Sequence, residues 1–220
     1  MSASATLGMG EEGAIKPSIC CDDNLLYVIH VLEKYREMSR PPCHKVSAVA
    51  HEILAALVAM IANGADGTVI KDQDGRPWGK VADLSLAASI SHSRHVVAVA
   101  LATRADLTVG IDVEYMKPQR AIAELATQIA MPSSTGVRAF YDGWCRYEAL
   151  FKATGVNDPE RQRDLAPLTE FDLQTPAGFA GKLVVGARDP DAGMCLKSHS
   201  IVSPVRKVFA PGRLVFKTGL

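Results

Sequence analysis

An α+β fold built as two similar halves is what this sequence predicts, and three observations carry the prediction. A helical pattern of apolar residues follows Pro42. Strand-type runs take over from Thr68 to Glu114. Both textures then return in the same order over 121–217. Helices then strands, twice over, is the order expected of two helix-and-strand units sharing a core. The halves are expected to meet near residue 105, giving a lead-in at 1–20, an N-terminal half at 21–105 and a C-terminal half at 106–220. No residue-level repeat relates them, so the pseudo-twofold rests on element order.

Residues 1–20 read as a flexible lead-in. Between Asn24 and Ser39, the apolar residues Leu25, Leu26, Val28, Ile29 and Leu32 fall at roughly helical spacing and predict a helix. A second helix follows Pro42. There Val46, Val49, Ile53, Leu57 and Ile61 recur every three or four residues, Ala50, Leu54 and Val58 widen the stripe, and Asn63-Gly64 supplies a stop. Thr68 to Lys71, the turn residues Asp72 to Gly75, and Arg76-Pro77-Trp78 predict a strand, a tight turn and a second short extended piece. Further strands are expected at Ala88–Ser91, His95–Ala102 and Leu107–Glu114. The second of these is β-branched and apolar throughout, as a buried strand is. Helices are expected at Ala121–Ala130 and Val137–Thr154, and short strands broken by Pro, Gly and Asp over roughly 169–217.

The composition narrows the function. Lys plus Arg and Asp plus Glu are both 24, so no overall field draws the chain to nucleic acid or to a membrane, and any phosphate recognition must be local. Five scattered cysteines (Cys20, Cys21, Cys43, Cys145, Cys195) show no zinc-ligand spacing, and the vicinal pair is poor disulfide geometry. The expectation is a reduced, cytoplasmic protein. Met1 to Lys16 has no basic region followed by an apolar core, and so does not read as a secretory signal. The longest apolar stretch, Ile53 to Ile61, is expected to be too short to span a bilayer.

Four short segments carry chemistry. In Val109-Gly110-Ile111-Asp112-Val113-Glu114, alternation puts Asp112 and Glu114 on one face of a strand, about 6–7 Å apart. Two such carboxylates can grip a hard cation whose remaining positions go to water and phosphate oxygens, or they can be the solvated end of an ordinary strand. In Trp144-Cys145-Arg146-Tyr147-Glu148-Ala149-Leu150-Phe151-Lys152, Glu148 and Lys152 lie four apart at the edge of a core stripe of Val137, Phe140, Tyr141, Trp144 and Phe151. They can face a partly dry cleft or form an exposed ion pair. Ser89-Ile90-Ser91-His92-Ser93 offers hydroxyls and an imidazole to phosphate oxygens, without the surroundings of a hydrolase nucleophile. Gly75-Arg76-Pro77-Trp78 reads equally as a turn with a packed indole.

In this order, 75–77, 91–93, 110–114 and 144–152, the segments resemble the signature of the 4′-phosphopantetheinyl transferases, the larger single-chain type that activates surfactin synthetase. That family runs Gly-Lys/Arg-Pro, Ser-His-Ser/Thr, Gly-Ile/Val-Asp-Val/Ile-Glu and Trp-x-x-Lys-Glu-Ala-x-x-Lys. The match covers residues 75–155. The resemblance implies two similar α/β halves with coenzyme A in the cleft between them, Mg²⁺ on Asp112, Glu114 and Glu148, and phosphate contacts from Lys152 and His92. It makes Arg76, Ser91, Arg36, Arg40, His44 and Lys45 candidates for the nucleotide's phosphates. It also implies the reaction: the serine of an apo acyl or peptidyl carrier protein attacks the coenzyme A β-phosphate and 3′,5′-ADP leaves, with Glu148 as base. A monomer suffices, since one chain holds both halves.

Two departures stand out. Tyr147 occupies the position the family gives to Lys, which removes a cation and could alter coenzyme A affinity. His51 and Ala55 stand in a region the family often makes Arg-rich. A Mg²⁺-dependent phosphohydrolase or nucleotidyl transferase using the same carboxylates, and a catalytically weak binder of coenzyme A or carrier protein, are the competing readings.

Overall fold

A computed structural model describes residues 20–22, 24–165 and 168–188. The lead-in expected before Cys20 and the strands expected beyond residue 188 lie outside the described residues. The chain is mixed α and β, and all its strand pairings are antiparallel among the described residues. A six-stranded sheet has the order β1-β2-β6-β5-β4-β3. It is built from β1 (Cys20–Asp22), β2 (Leu25–Val31), β3 (Gly67–Lys71), β4 (Pro77–Val81), β5 (Leu84–Ser93) and β6 (Val96–Ala102). A three-stranded sheet has the order β7-β9-β8, from β7 (Leu107–Tyr115), β8 (Thr169–Asp172) and β9 (Phe179–Ala187). The helices are α1 (Cys43–Ala62), α2 (Ile122–Gln128), α3 (Val137–Thr154) and α4 (Pro159–Arg163). The chain changes sheet between β6 and β7, close to the expected boundary at 105.

Side-chain alternation sets the layering. On β6, Val97, Val99 and Leu101 face α1, whose Val46, Ile53, Leu54, Leu57 and Val58 fill the same cluster. The alternate residues Val96, Ala98, Ala100 and Ala102 pack instead on Val109, Ile111 and Val113 of β7 and Leu183 and Val185 of β9. The opposite face of the small sheet, with Ala180 and Val184, is covered by α3 through Phe140, Tyr141, Cys145, Ala149, Leu150 and Ala153. The order of layers is α1, large sheet, small sheet, α3.

The helix expected over Asn24–Ser39 is a correction: Leu25–Val31 is a strand, followed by a short 3₁₀ turn at Glu33–Tyr35. Both faces of β2 are covered. Leu26 and Val28 lie toward α1, while Leu25 and Ile29 lie toward the small sheet, with Tyr27 packed beside them. A strand buried on both sides loses its apolar–polar alternation and reads as a helical stripe. The membrane expectation is also revised. By length and hydropathy the 20-residue α1 would suffice to cross a bilayer. In this fold its eight buried residues are all apolar, and all but Ala56 belong to the cluster that covers the large sheet.

Candidate active site

β7 is an edge strand of the small sheet, bonded on one side to β9. Its other row of amides would be left unpaired in the interior, which is costly. Three serines of β5 satisfy it. Ser89, Ser91 and Ser93 share one face of β5, and their hydroxyls accept from the N–H groups of Ile111 (3.0 Å), Val113 (3.2 Å) and Tyr115 (3.0 Å). The offset is 22 residues each time, so the strands run side by side in one direction. The Ser-x-Ser-x-Ser spacing is therefore a seam between the two sheets. Two of its hydroxyls also orient acids: Ser91 Oγ donates to Asp112 Oδ1 at 2.8 Å, and Ser93 Oγ to Glu114 Oε2 at 3.1 Å.

α3 approaches β7 from the other side. A Cβ added to Gly110 would lie 1.9 Å from the Ala149 carbonyl oxygen, so helix backbone rests directly on strand backbone there. The small residues Cys145, Ala149 and Ala153 repeat every four positions along this contact and are all buried. The adjacent row, Trp144, Glu148 and Lys152, opens instead on a cleft of about 380 Å³. Ser47 of α1, Ile90, Ser91 and His92 of β5, and Asp112 and Glu114 of β7 complete its lining. Lys152 Nζ donates to Asp112 Oδ1 (2.7 Å) and to the Ile111 carbonyl (3.2 Å).

The electrostatics are those of crowded acids. Asp112 is 4% exposed, and its Oδ2 is buried without a hydrogen-bond partner. Burial first, then the charge of Asp112, push the carboxyl groups of Glu114 and Glu148 above the ordinary carboxylate range; Arg120 and Lys152 oppose the rise at both. Burial and the Lys152 ammonium lower His92, which favours its neutral form, able both to donate and to accept. Burial, followed by the charges of Asp112 and Glu114, raises the Cys145 thiol and disfavours its reactive thiolate.

Six of the expected site residues thus meet around one cleft: Ser91, His92, Asp112, Glu114, Glu148 and Lys152. The others do not line it. Arg36 is exposed and pairs with Glu33 at 2.6 Å, and Arg40, His44 and Lys45 are exposed. Arg76 lies over the Phe151 ring, 5.9 Å from its centre. The single proton of Ser91 is already donated to Asp112, so a phosphate would have to compete for it. Tyr147 faces elsewhere: its hydroxyl meets the backbone carbonyl (3.1 Å) and side-chain oxygen (2.5 Å) of Asn157, and its ring packs beside Trp144.

Trp144, expected in the core stripe, packs against the Phe140 and Tyr141 cluster and also lines the cleft. Its spacing of four from Glu148, itself four from Lys152, was the signal. Nothing in the sequence marks Ser47.

Among the described residues, no three His, Cys, Asp or Glu side chains are already grouped as a metal-holding set. The donors available to a cation are Asp112 Oδ2, which is buried and unpartnered, and the two glutamates held near it. Their chemistry, oxygen only, suits a hard divalent ion. No model of a known protein family matches the chain, and no curated protein matches it.

Proposed function

We propose that this protein is a Mg²⁺-dependent 4′-phosphopantetheinyl transferase, taking its donor group from coenzyme A and its acceptor serine from an apo carrier protein. The observation that carries the reading is the convergence of three separated segments, 91–92, 112–114 and 148–152, on one cleft between the layers. Residues so far apart in sequence share that cleft because the serine seam fixes β7 against β5 and the Gly110 contact fixes α3 against β7. The two helix-on-sheet units, α1 on the large sheet and α3 on the small one, are read as the related halves of such an enzyme, with coenzyme A between them.

Asp112, Glu114 and Glu148 would hold Mg²⁺, which, when bound, offsets the negative charge that builds on the phosphates. The crowding that raises both glutamates is the condition a bound cation relieves. Lys152 supplies a second positive charge at the same oxygens, since it already reaches Asp112. Glu148, half-buried in the cleft lining, is placed to take the proton of the incoming serine. Neutral His92 can donate to a phosphate oxygen without adding charge. The nucleophile comes with the carrier, so this chain needs none. We take the protein to act as a cytoplasmic monomer.

The test is incubation with coenzyme A, Mg²⁺ and an apo carrier protein, read by mass spectrometry. Conversion of the carrier to its phosphopantetheinylated mass, with 3′,5′-ADP released, is the expected result. Phosphate release without any carrier would favour a phosphohydrolase, and coenzyme A binding with no turnover would favour a binding protein.

A further inference from the structure

Arg120 lies in the segment joining β7 to α2. Its guanidinium carbon sits 5.1 Å from the centre of the Trp144 ring and 6.0 Å from that of Tyr141. Trp144 lines the cleft, so the guanidinium lies over a cleft-lining ring. The segment beneath it is anchored. The Lys117 N–H donates to the buried Tyr141 hydroxyl (2.9 Å), the Arg120 N–H to the Lys117 carbonyl (3.2 Å), and the Ile122 N–H to the Arg120 carbonyl (2.7 Å).

The two cations at this cleft are in different situations. The Lys152 charge is shared with Asp112 and the Ile111 carbonyl. Arg120 makes no ion pair among the described residues, and Trp144, over which it lies, stands one helical turn from Glu148 in the row that lines the cleft. Stacking engages the face of a guanidinium and leaves its in-plane N–H donors available. A planar donor fork, held over a cleft-lining ring and not consumed by an ion pair, matches the bidentate geometry of a phosphate.

We infer that Arg120 is a substrate-binding residue that grips the pyrophosphate of coenzyme A from the rim of the cleft, with Trp144 as its support. The inference rests on the transferase reading. It selects the pyrophosphate over the ribose 3′-phosphate because Arg120 lies over Trp144, which shares its cleft-lining row with Glu148 and Lys152.

Calorimetric titration of wild type, Arg120→Gln and Arg120→Lys with coenzyme A, and separately with dephospho-coenzyme A, tests this in the presence of Mg²⁺. Dephospho-coenzyme A lacks only the 3′-phosphate. Arg120→Gln keeps a flat group over Trp144 while losing the charge, and melting curves verify that each variant is folded. The expected result is a loss of about tenfold or more in affinity for both ligands in Arg120→Gln, the scale of one charged hydrogen-bonding contact, with partial recovery in Arg120→Lys. Wild-type affinity in folded Arg120→Gln overturns the inference. A loss confined to coenzyme A overturns the pyrophosphate assignment. Wild-type protein that binds neither ligand removes the transferase reading and the inference with it.

Discussion

The two long helices meet their sheets in opposite ways. All eight residues that α1 buries are apolar, and Ile53, Leu54, Leu57 and Val58 give it a thick aliphatic contact with the large sheet. The inner row of α3 is thin, with Cys145, Ala149 and Ala153 resting on Gly110. Thick packing favours stability and holds the helix away from the strands. Thin packing brings the next row, Glu148 and Lys152, within reach of Asp112. The site exists where the chain gives up large side chains for proximity.

Substitutions should separate the two modes. The largest effect is expected from Gly110→Ala, because its new Cβ would meet main-chain atoms of α3 rather than a movable side chain. The loss should exceed the roughly 1–3 kcal/mol typical of an overpacked core. Urea unfolding checks it. By contrast, Leu57→Ala in α1 should cost about 2–5 kcal/mol and leave the activity of the folded fraction intact.

Next comes Asp112→Ala, with at least about a hundredfold lower transfer rate at saturating Mg²⁺, the scale of one electrostatic element in such sites. The fold should survive, because Lys152, with 26% of its side chain exposed, can turn its ammonium to water. Near-normal activity would show that Asp112 is structural.

Ser91→Ala comes third. It leaves the buried Val113 N–H without its acceptor and Asp112 with Lys152 as its remaining donor. A stability loss of about 1–3 kcal/mol is expected by denaturant titration. Ser47→Ala, across the cleft on α1, should be close to neutral in the same assay.

The smallest effect has the opposite sign. Glu148 is held above the ordinary carboxylate range, so its ionised form is penalised in the folded state. That penalty is absent in acid, where folded and unfolded forms are both protonated, and it grows as pH rises through the raised folded value. Glu148→Gln should therefore abolish transfer yet give a melting temperature above that of wild type at pH 7. The gain should vanish below about pH 4, and melting curves across pH decide it.

The same contrast between packing modes explains what could be read without a structure. The sequence marked the ends of α1 and α3 closely, because Pro42 and Asn63-Gly64 bracket one stripe and Gly155 closes the other with a left-handed cap. β7 and β6 were legible from their alternating or wholly apolar runs. β2 was not, since coverage by α1 on one face and the small sheet on the other erased its period. In the site, the spacing of Asp112, Glu114, Glu148 and Lys152 fitted a cleft and solvated charges equally, and the resemblance singled them out. The partnership of Ser91 with Asp112 and the position of Arg120 over Trp144 depend on how separate elements cross, and no local spacing encodes that. The resemblance made Arg36 and Lys45 candidates for phosphate, yet both are exposed and neither lines the cleft, Arg36 being paired with Glu33.

The central claim is that the cleft's three acids are kept for one divalent cation. Mn²⁺ binding, followed by electron paramagnetic resonance in the presence of coenzyme A, tests it without reference to turnover. Wild-type protein should take up a single Mn²⁺ that Mg²⁺ displaces, and Asp112→Asn should bind it at least about tenfold more weakly, as expected for loss of a charged ligand. Equal Mn²⁺ affinity in wild type and in folded Asp112→Asn, Glu114→Gln and Glu148→Gln proteins would contradict the account.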